Sequence, residues 1–189
     1  MIGRVDSSTA GDSGLHLRID ALEAGLEALG EAPKDAGRVV LLVARGEEGV
    51  RKTPAIGYLS GTGGLEGDAW GRDADRDPAA QITVMEVGVA RLIANGQPLT
   101  LFGDQLFVDL DLSKGNLPTG SRVRMGGAVL EVTAEPHNGC RKFKARFGAD
   151  ALRLVSRADL RHRNFRGVYF RVVEDGEVAV GDEMTVLAR

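Results

Sequence analysis

Short apolar runs that are rich in β-branched residues, each bounded by turn residues, recur from Arg38 to the end of the chain. Examples are "RVVLLVAR", "QITVM", "QLFVDLDL", "SRVRMG", "AVLEVTA" and "GVYFRVVE". Runs of this length and composition are typical of β-strands, and many short strands with few helices favour a closed or nearly closed β architecture. The pattern predicts a mainly β fold with a barrel-like core and helical additions. The turn Asp175-Gly176, between "GVYFRVVE" and "EVAV", predicts a terminal β-hairpin.

Helical periodicity is confined to a few segments. An apolar stripe with spacings of four and three runs from Leu15 to Leu29, with Asp12 or Ser13 as the expected cap and Gly30 as the expected stop. We expect this amphipathic helix to pack on the main body or on another subunit. Further helices are predicted for "EVGVARLIANG", for the residues between Cys140 and Gly148, and for "ADALRLVSRADLRHR".

Length and composition limit the classes of protein to consider. The 189 residues suit one domain with a short extension, which we divide into an N-terminal extension, residues 1–36, and a main domain, residues 37–189. The first dozen residues are polar and expected to be loose. A net charge of −3 argues against nucleic acid and anionic membranes as partners. With one cysteine, no secretory h-region and no long apolar run, we expect a cytoplasmic protein.

Several common motifs fail on their spacing. The glycine-rich "GTGGLEG" has Glu66 where a dinucleotide fingerprint needs its third glycine, so a surface loop is the better interpretation. The acidic run after Arg72 lacks the glycine and glutamate of a calcium loop. A zinc site is not expected, because His137 and Cys140 have no further cysteine to complete four ligands.

The segment "AEPHNGCRKFKARFG" places Cys140 between a turn and a group of cations. Ten lysines or arginines and only two acids lie between His137 and Arg171, so this end of the chain is locally basic. A helix start and neighbouring cations both favour a thiolate over a thiol, and the same groups would hold an anion such as a phosphate. The alternative is a buried cysteine that only fills the core.

Five segments share the pattern of a known family: "GLEGDAW", "QITVM", "GDQLFVDLDLSKGNLPTGSRVRMGGAVLEVT", "PHNGCRKFKARFG" and "RGVYFRVVEDGEVAVGD". Together they resemble the MOSC domain, the C-terminal module of molybdenum cofactor sulfurases, in its stand-alone bacterial type. The resemblance covers roughly residues 37–187 and implies a MOSC-type β-barrel core, here with an N-terminal helix.

The resemblance also implies a role for Cys140, either as a persulfide carrier or as a molybdenum ligand in a bound molybdenum cofactor. In the first role a separate cysteine desulfurase would donate the sulfur to the cofactor or its acceptor enzyme, and no pyridoxal phosphate site is expected in this chain. His137 would orient or deprotonate Cys140. The residues expected to contact the cofactor are Arg141, Lys142, Lys144, Arg163, Arg166 and Asp68.

Two other functions stay open at this point. One is a molybdenum-dependent reductase of N-hydroxylated compounds, which would work with partner electron carriers. The other is a non-catalytic anion-binding or interaction module in which Cys140 packs inside. Whether the chain is an enzyme, a sulfur transferase or an oxidoreductase component, is not decided by these residues.

Overall fold

The structure is a computed structural model that describes residues 4–6 and 10–189. Within those residues the chain forms short strands, four α-helices and several 3-10 turns. The strands are β1 (Arg4–Asp6), β2 (Ala36–Leu42), β3 (Ala44–Arg45), β4 (Arg51–Thr53), β5 (Ile56–Ser60), β6 (Gly64–Leu65), β7 (Ile82–Glu86), β8 (Leu106–Asp109), β9 (Arg122–Met125), β10 (Ala128–Val132), β11 (Val168–Glu174), β12 (Gly176–Ala179) and β13 (Glu183–Ala188). The helices are α1 (Ile19–Ala28), α2 (Val87–Ala94), α3 (Arg141–Phe147) and α4 (Ala149–Ser156).

Seven of the strands close into a barrel in the order β10-β11-β7-β8-β2-β13-β9. Neighbouring strands are antiparallel except β7 and β8, which run parallel. The barrel interior is filled by fully buried apolar side chains such as Val84, Leu106 and Phe170. This confirms the mainly β fold with a barrel core that the short apolar runs predicted.

Helix α2 makes the crossover between the parallel strands β7 and β8. The Glu86 carboxylate accepts hydrogen bonds from the backbone N–H groups of Gly88 and Val89, at 2.6 and 2.7 Å, and so caps the helix start. Asn95 ends the helix in the left-handed conformation. The helix predicted for "EVGVARLIANG" is therefore confirmed, with both ends set by local residues.

A second apolar cluster joins the helices to the outside of the barrel. Leu22 of α1, Phe143 and Phe147 of α3, and Leu154 of α4 are all buried in it. The ring of Phe102 stacks on that of Phe147 with centroids 4.1 Å apart. This cluster fixes the orientation of α3, whose first residue follows Cys140.

The N-terminal helix is shorter than the sequence predicted. It begins at Ile19, and Asp12 caps a separate 3-10 turn, Ser13–Leu15, through Gly14 N at 2.8 Å. The backbone N–H of Ile19, which has no acceptor within the helix, donates a hydrogen bond to the carboxylate of Asp150, a residue far along the chain. Because the helix start is satisfied by a tertiary contact, the local sequence did not reveal it.

The hairpin predicted at Asp175-Gly176 is wrong. Strand β12 pairs with β5, in a small sheet ordered β12-β5-β6, and β11 pairs with β10 and β7 instead. The Asp175 carboxylate accepts from Gly61 N at 2.8 Å, which ties the turn to the loop after β5. A Cβ on Gly176 would lie 2.3 Å from the backbone of Gly127, so this close approach requires glycine.

The division into residues 1–36 and 37–189 stays a prediction. The expectation of loose residues near the start falls partly on residues 1–3 and 7–9, which lie outside the described residues. Strand β1 pairs antiparallel with β4, and Leu22 is buried in the same cluster as α3. Across the described parts of the chain, we find no helix with the length and apolar character needed to cross a bilayer.

Candidate functional site

Cys140 lies exposed at the start of α3, as the residue immediately before the helix. Its backbone is extended, and its side chain makes no capping hydrogen bond to the helix. The preceding Gly139 passes so close to α4 that a Cβ there would lie 2.4 Å from Leu152 Cδ1. The thiol is thus presented at the surface by an anchored helix. The interpretation in which Cys140 packs inside as a core residue is wrong.

The three cations predicted beside Cys140 are all on the exposed side of α3, but they do not share one site. Lys142 lines a cleft of about 440 Å³ between α3, the residues around Gly11 and the β3–β4 loop. We call this the cationic cleft; its lining residues are Ala10, Gly11, Gly49, Arg51, Lys142, Ala145 and Arg146. Arg141 and Lys144 are exposed outside that lining.

The described residues that line the cationic cleft include three basic residues and no acid. Arg146 is half-buried and donates from Nη1 to the carbonyl oxygen of Leu101 at 2.7 Å. Burial lowers the pKa of Arg146, while a negative charge on Cys140 acts in the opposite direction. Arg146 and the Cys140 sulfur therefore lie within electrostatic range of each other, and the cleft suits an anion.

His137 does not contact Cys140 but turns into the protein. Its Nδ1 lies 3.6 Å from Oδ1 of the fully buried Asp104, and Arg166 Nη1 donates to the other carboxylate oxygen at 2.7 Å. The His137 ring also lies against the ring of Tyr169, with centroids 4.6 Å apart. We call Asp104, His137 and Arg166 the Asp104 cluster.

Burial is the main reason that the pKa of His137 falls to about 4. The charge of Asp104 opposes this shift, and the charges of Arg166 and Arg45 add to it. The imidazole is consequently neutral at neutral pH. No hydrogen bond joins His137 to Cys140 among the described residues, so the structure does not bring the predicted pair together.

The Asp104 cluster has unused hydrogen-bonding capacity. Among the described residues, Asp104 Oδ1, His137 Nδ1 and Arg166 Nε are buried without a hydrogen-bond partner. Buried polar atoms are rarely left in this state in folded proteins, and such exceptions concentrate at functional sites. The Arg166 guanidinium also lies 5.2 Å from the ring of Phe143 on α3, which couples the cluster to the helix that follows Cys140.

Arg163 and Arg166, both predicted to contact the cofactor, lie in different surroundings. Arg166 is buried and its charge is balanced by Asp104. Arg163 is exposed, stacks 5.2 Å over the ring of Phe165, and lines a different groove beside α1. The 3-10 turn ends at Arg163, and the left-handed Asn164 separates it from Arg166.

Asp68, which follows the glycine-rich loop, is buried and contacts Arg45. Its carboxylate accepts two side-chain hydrogen bonds from Arg45, at 2.6 and 2.9 Å, and one from the backbone N–H of Trp70. Burial opposes ionisation of Asp68, but the hydrogen bonds and charge of Arg45 outweigh it and lower the pKa of the carboxyl. Asp68 thereby fixes the position of the Arg45 guanidinium, and the positive charge of Arg45 interacts electrostatically with Asp104.

A polar cavity of about 170 Å³ opens beside His137, between the ends of β10 and β11 and the 3-10 turn Ala158–Arg163. We call it the polar cavity; its polar and charged lining residues are Lys114, Thr119, Thr133, Glu135, His137, Asn138, Arg161, Asn164 and Arg166. Its apolar walls include Leu117, Val132, Val155, Phe165 and Val168. His137 and Asn138 immediately precede Gly139 and Cys140. One short segment therefore lines the polar cavity and also carries the thiol.

The sequence analysis missed three residues of this region. Asp104 precedes β8, and the sequence around it does not indicate its contacts with the distant residues His137 and Arg166. Arg51 reaches the cationic cleft from β4, and Arg146 lies one helical turn beyond Lys142. One signal in the sequence could have identified Arg146. It lies four residues after Lys142 on a predicted helix, and this spacing puts both side chains on the same helix face.

The fold and this site define a class: a small β-barrel protein that presents one surface cysteine at a helix start beside a basic cleft. The family model of the MOSC domain matches residues 85–185, which is more than half of the chain. The chain belongs to the MOSC domain family. The matched region includes Asp104, His137, Cys140 and Arg166.

The chain is also similar to a curated relative and to several solved structures. The "Uncharacterized protein YflK" of Bacillus subtilis (strain 168) is 30% identical over 112 residues, 59% of this chain and 46% of that protein. The chain thus matches about half the length of that curated relative. The YuaD protein from Bacillus subtilis has a TM-score of 0.62 at 19% identity, covering 82% of this chain and 97% of that one. YiiM from Escherichia coli has a TM-score of 0.55 at 20% identity, covering 80% and 70%. These two structures share the fold.

Proposed function

We propose that Cys140 carries sulfur as a persulfide for the molybdenum cofactor, and that the cationic cleft holds an anionic part of that cofactor. The observation that carries the proposal is the exposed thiol at the start of an anchored helix, within electrostatic range of Arg146 and on the same helix as Lys142. Membership of the MOSC domain family supports the choice of cargo.

Sulfur transfer to Cys140 requires an accessible thiolate, because the thiolate and not the thiol is the nucleophile. Cys140 is exposed, the basic residues of α3 follow it in the chain, and Lys142 and Arg146 of that helix line the cationic cleft. Phe143 and Phe147, both buried, hold the helix in place. The sulfur is therefore offered to a partner protein from a fixed position.

The proposed transfer is a thiol–persulfide exchange with no net oxidation. The Cys140 thiolate attacks the outer sulfur of a cysteine persulfide on a desulfurase, which uses its own pyridoxal phosphate. One S–S bond forms at Cys140, the donor's S–S bond breaks, and the donor cysteine leaves as a thiolate. The outer sulfur keeps its proton or gives it to solvent, and the reaction needs no other reductant.

The residues of the cationic cleft fit an anionic cofactor. Lys142, Arg146 and Arg51 would hold a phosphate of the molybdenum cofactor by charge-assisted hydrogen bonds. The cofactor, when bound, would supply a molybdenum centre that accepts sulfur. The role of this chain is to bind the anion and to keep the Cys140 sulfur at the cleft.

The test is intact mass spectrometry after incubation with a cysteine desulfurase and cysteine, beside metal analysis of gently purified protein. A gain of one sulfur, about 32 Da, is expected for the wild-type protein and not for Cys140→Ser. A desulfurase that lacks its active cysteine serves as the matched control for sulfide released into solution. If the wild-type protein gains no sulfur and also contains no molybdenum, the proposal is contradicted.

A second candidate is a molybdenum-dependent reductase of N-hydroxylated compounds, in which Cys140 ligates the metal. The polar cavity favours it, because His137 and Asn138 place a small-molecule pocket next to the cysteine segment. This candidate predicts molybdenum at near stoichiometry in the wild-type protein, lost in Cys140→Ser. A non-catalytic anion-binding module instead predicts that Cys140→Ser leaves anion binding unchanged and that alkylation is slow, which the exposure of Cys140 argues against.

A further inference from the structure

The polar cavity has the size and walls of a pocket for one aromatic ring. Its volume is about 170 Å³, and cavities of roughly 150 Å³ with apolar walls accommodate benzene. Val132, Phe165 and Val168 are buried and form part of its wall. A ligand with a small apolar body would therefore bury its carbon atoms here.

The charges around the cavity favour an anion. Lys114 and Arg161 are exposed lining residues, and neither takes part in an ion pair among the described residues. Arg166 is neutralised by Asp104, and Glu135 is the one acid of the lining. Two exposed cations against one exposed acid leave the mouth with a positive balance, which suits a single carboxylate.

The lining of the cavity includes a hydrogen-bond acceptor, the imidazole of His137. His137 is neutral, and its enclosed Nδ1 faces the Asp104 carboxylate at 3.6 Å. The negative charge of Asp104 favours the tautomer with the proton on Nδ1, so Nε2 is left with its lone pair. No hydrogen bond to Nε2 is formed by a described residue. A ligand hydroxyl or amine would be its natural partner.

We propose that the polar cavity binds a small aromatic carboxylate that carries a hydroxyl or amino group on the ring. The carboxylate lies between Lys114 and Arg161, the ring lies against the apolar wall, and the hydroxyl or amino group donates to His137 Nε2. This site goes beyond the sulfur-carrying function and does not depend on it, because no part of the binding involves Cys140.

The experiment is a titration of the ¹⁵N-labelled full chain with 4-hydroxybenzoate, in which the NMR chemical shifts of the backbone amides are measured. We expect saturable shifts at millimolar concentration for the amides of residues 133–138 and 164–168. The double variant Lys114→Gln/Arg161→Gln is expected to weaken binding about threefold to tenfold, since exposed charge pairs contribute modestly. Lys52→Gln, which removes an exposed lysine outside the cavity, is the matched control and should bind as the wild type does.

Two ligand controls complete the design. 4-Hydroxybenzamide has the same ring and hydroxyl without the charge, and benzoate has the charge without the hydroxyl; both should bind more weakly. Cys140→Ser should bind 4-hydroxybenzoate as the wild type does, so failure of the sulfur-carrier proposal would leave this result intact. Absence of saturable shifts, equal binding of 4-hydroxybenzamide, or shifts that cluster at the cationic cleft would each overturn the proposal.

Discussion

The imidazole of His137 faces the buried carboxylate of Asp104, with Nδ1 and Oδ1 3.6 Å apart, and not the thiol of Cys140 three residues further on. The segment from His137 to Cys140 therefore contributes residues to two different environments. His137 lies in the protein beside a small cavity, while Cys140 lies at the surface on α3. The two residues that the sequence suggested as a pair have separate tasks, and each can be tested alone.

Protonation of His137 should destabilise the fold in mild acid. Its pKa is about 4 in the folded chain against an ordinary value of 6.5, so below pH 6.5 the unfolded chain binds the proton first. The stability contributed by the neutral imidazole is complete above pH 6.5 and is lost as the pH falls toward 4, by ~3 kcal/mol in total. Urea unfolding from pH 7 to pH 4 measures this loss. In His137→Gln the decline should be shallower, and parallel curves for the two proteins would show that His137 does not carry it.

The ion pair between Asp104 and Arg166 should be costly to break from one side. Both side chains are buried, so Asp104→Asn leaves the Arg166 charge without its partner, and we expect a loss of about 3–5 kcal/mol in the free energy of unfolding. The double variant Asp104→Leu/Arg166→Met removes both charges and should recover much of that loss. Chemical denaturation of the wild type, Asp104→Leu, Arg166→Met and the double variant measures the coupling; strictly additive effects would contradict a tight pair.

Gly167 should tolerate alanine much less well than a glycine of the same backbone conformation elsewhere. At φ +95 a Cβ on Gly167 would lie 2.4 Å from the Val84 carbonyl oxygen and 3.3 Å from His137 Nδ1. At Gly181, with φ +98, a Cβ would meet no atom within 4 Å, so Gly181→Ala reports the backbone strain alone. We expect Gly167→Ala to cost at least ~2 kcal/mol more than Gly181→Ala in thermal or urea unfolding. Equal costs would mean that the contact with Val84 relaxes freely.

Anion binding in the cationic cleft should depend on Lys142 more than on Lys144. Both lysines are exposed on α3, but only Lys142 lines the cleft. Calorimetric titration with pyrophosphate at low salt should give affinity about threefold to tenfold weaker for Lys142→Gln, a change of ~0.6–1.4 kcal/mol. Lys144→Gln changes the net charge equally and is the control. A similar weakening in both variants would indicate diffuse attraction by the helix and not a defined cleft.

Local patterns predicted the elements whose determinants are local. The barrel strands and α2 follow from apolar runs and from caps such as Glu86 and Asn95, and the start of α3 follows from the turn before Cys140. The errors arise where a distant residue decides. Asp150 caps α1, Gly61 holds the turn at Asp175, and Asp104 turns His137 inward.

The same distinction applies to the candidate site. The sequence predicted a helix that starts next to Cys140, and the structure confirms it; the exposure of Cys140 is known only from the structure. The sequence could not show that Arg166 is neutralised, since Asp104 lies 62 residues away in the chain. Nor could it show the contribution of Arg51 to the cationic cleft, which depends on how β4 packs beside α3.

The most direct measurement of the sulfur-carrying role is the mass of the proteolytic peptide that contains Cys140, after brief incubation with a desulfurase and cysteine and trapping with an alkylating reagent. The account predicts the alkylated persulfide on that peptide, about 32 Da heavier than the alkylated thiol, and only when the desulfurase is active. If the peptide carries the alkylated thiol alone while the desulfurase is demonstrably charged with sulfur, Cys140 is not the carrier.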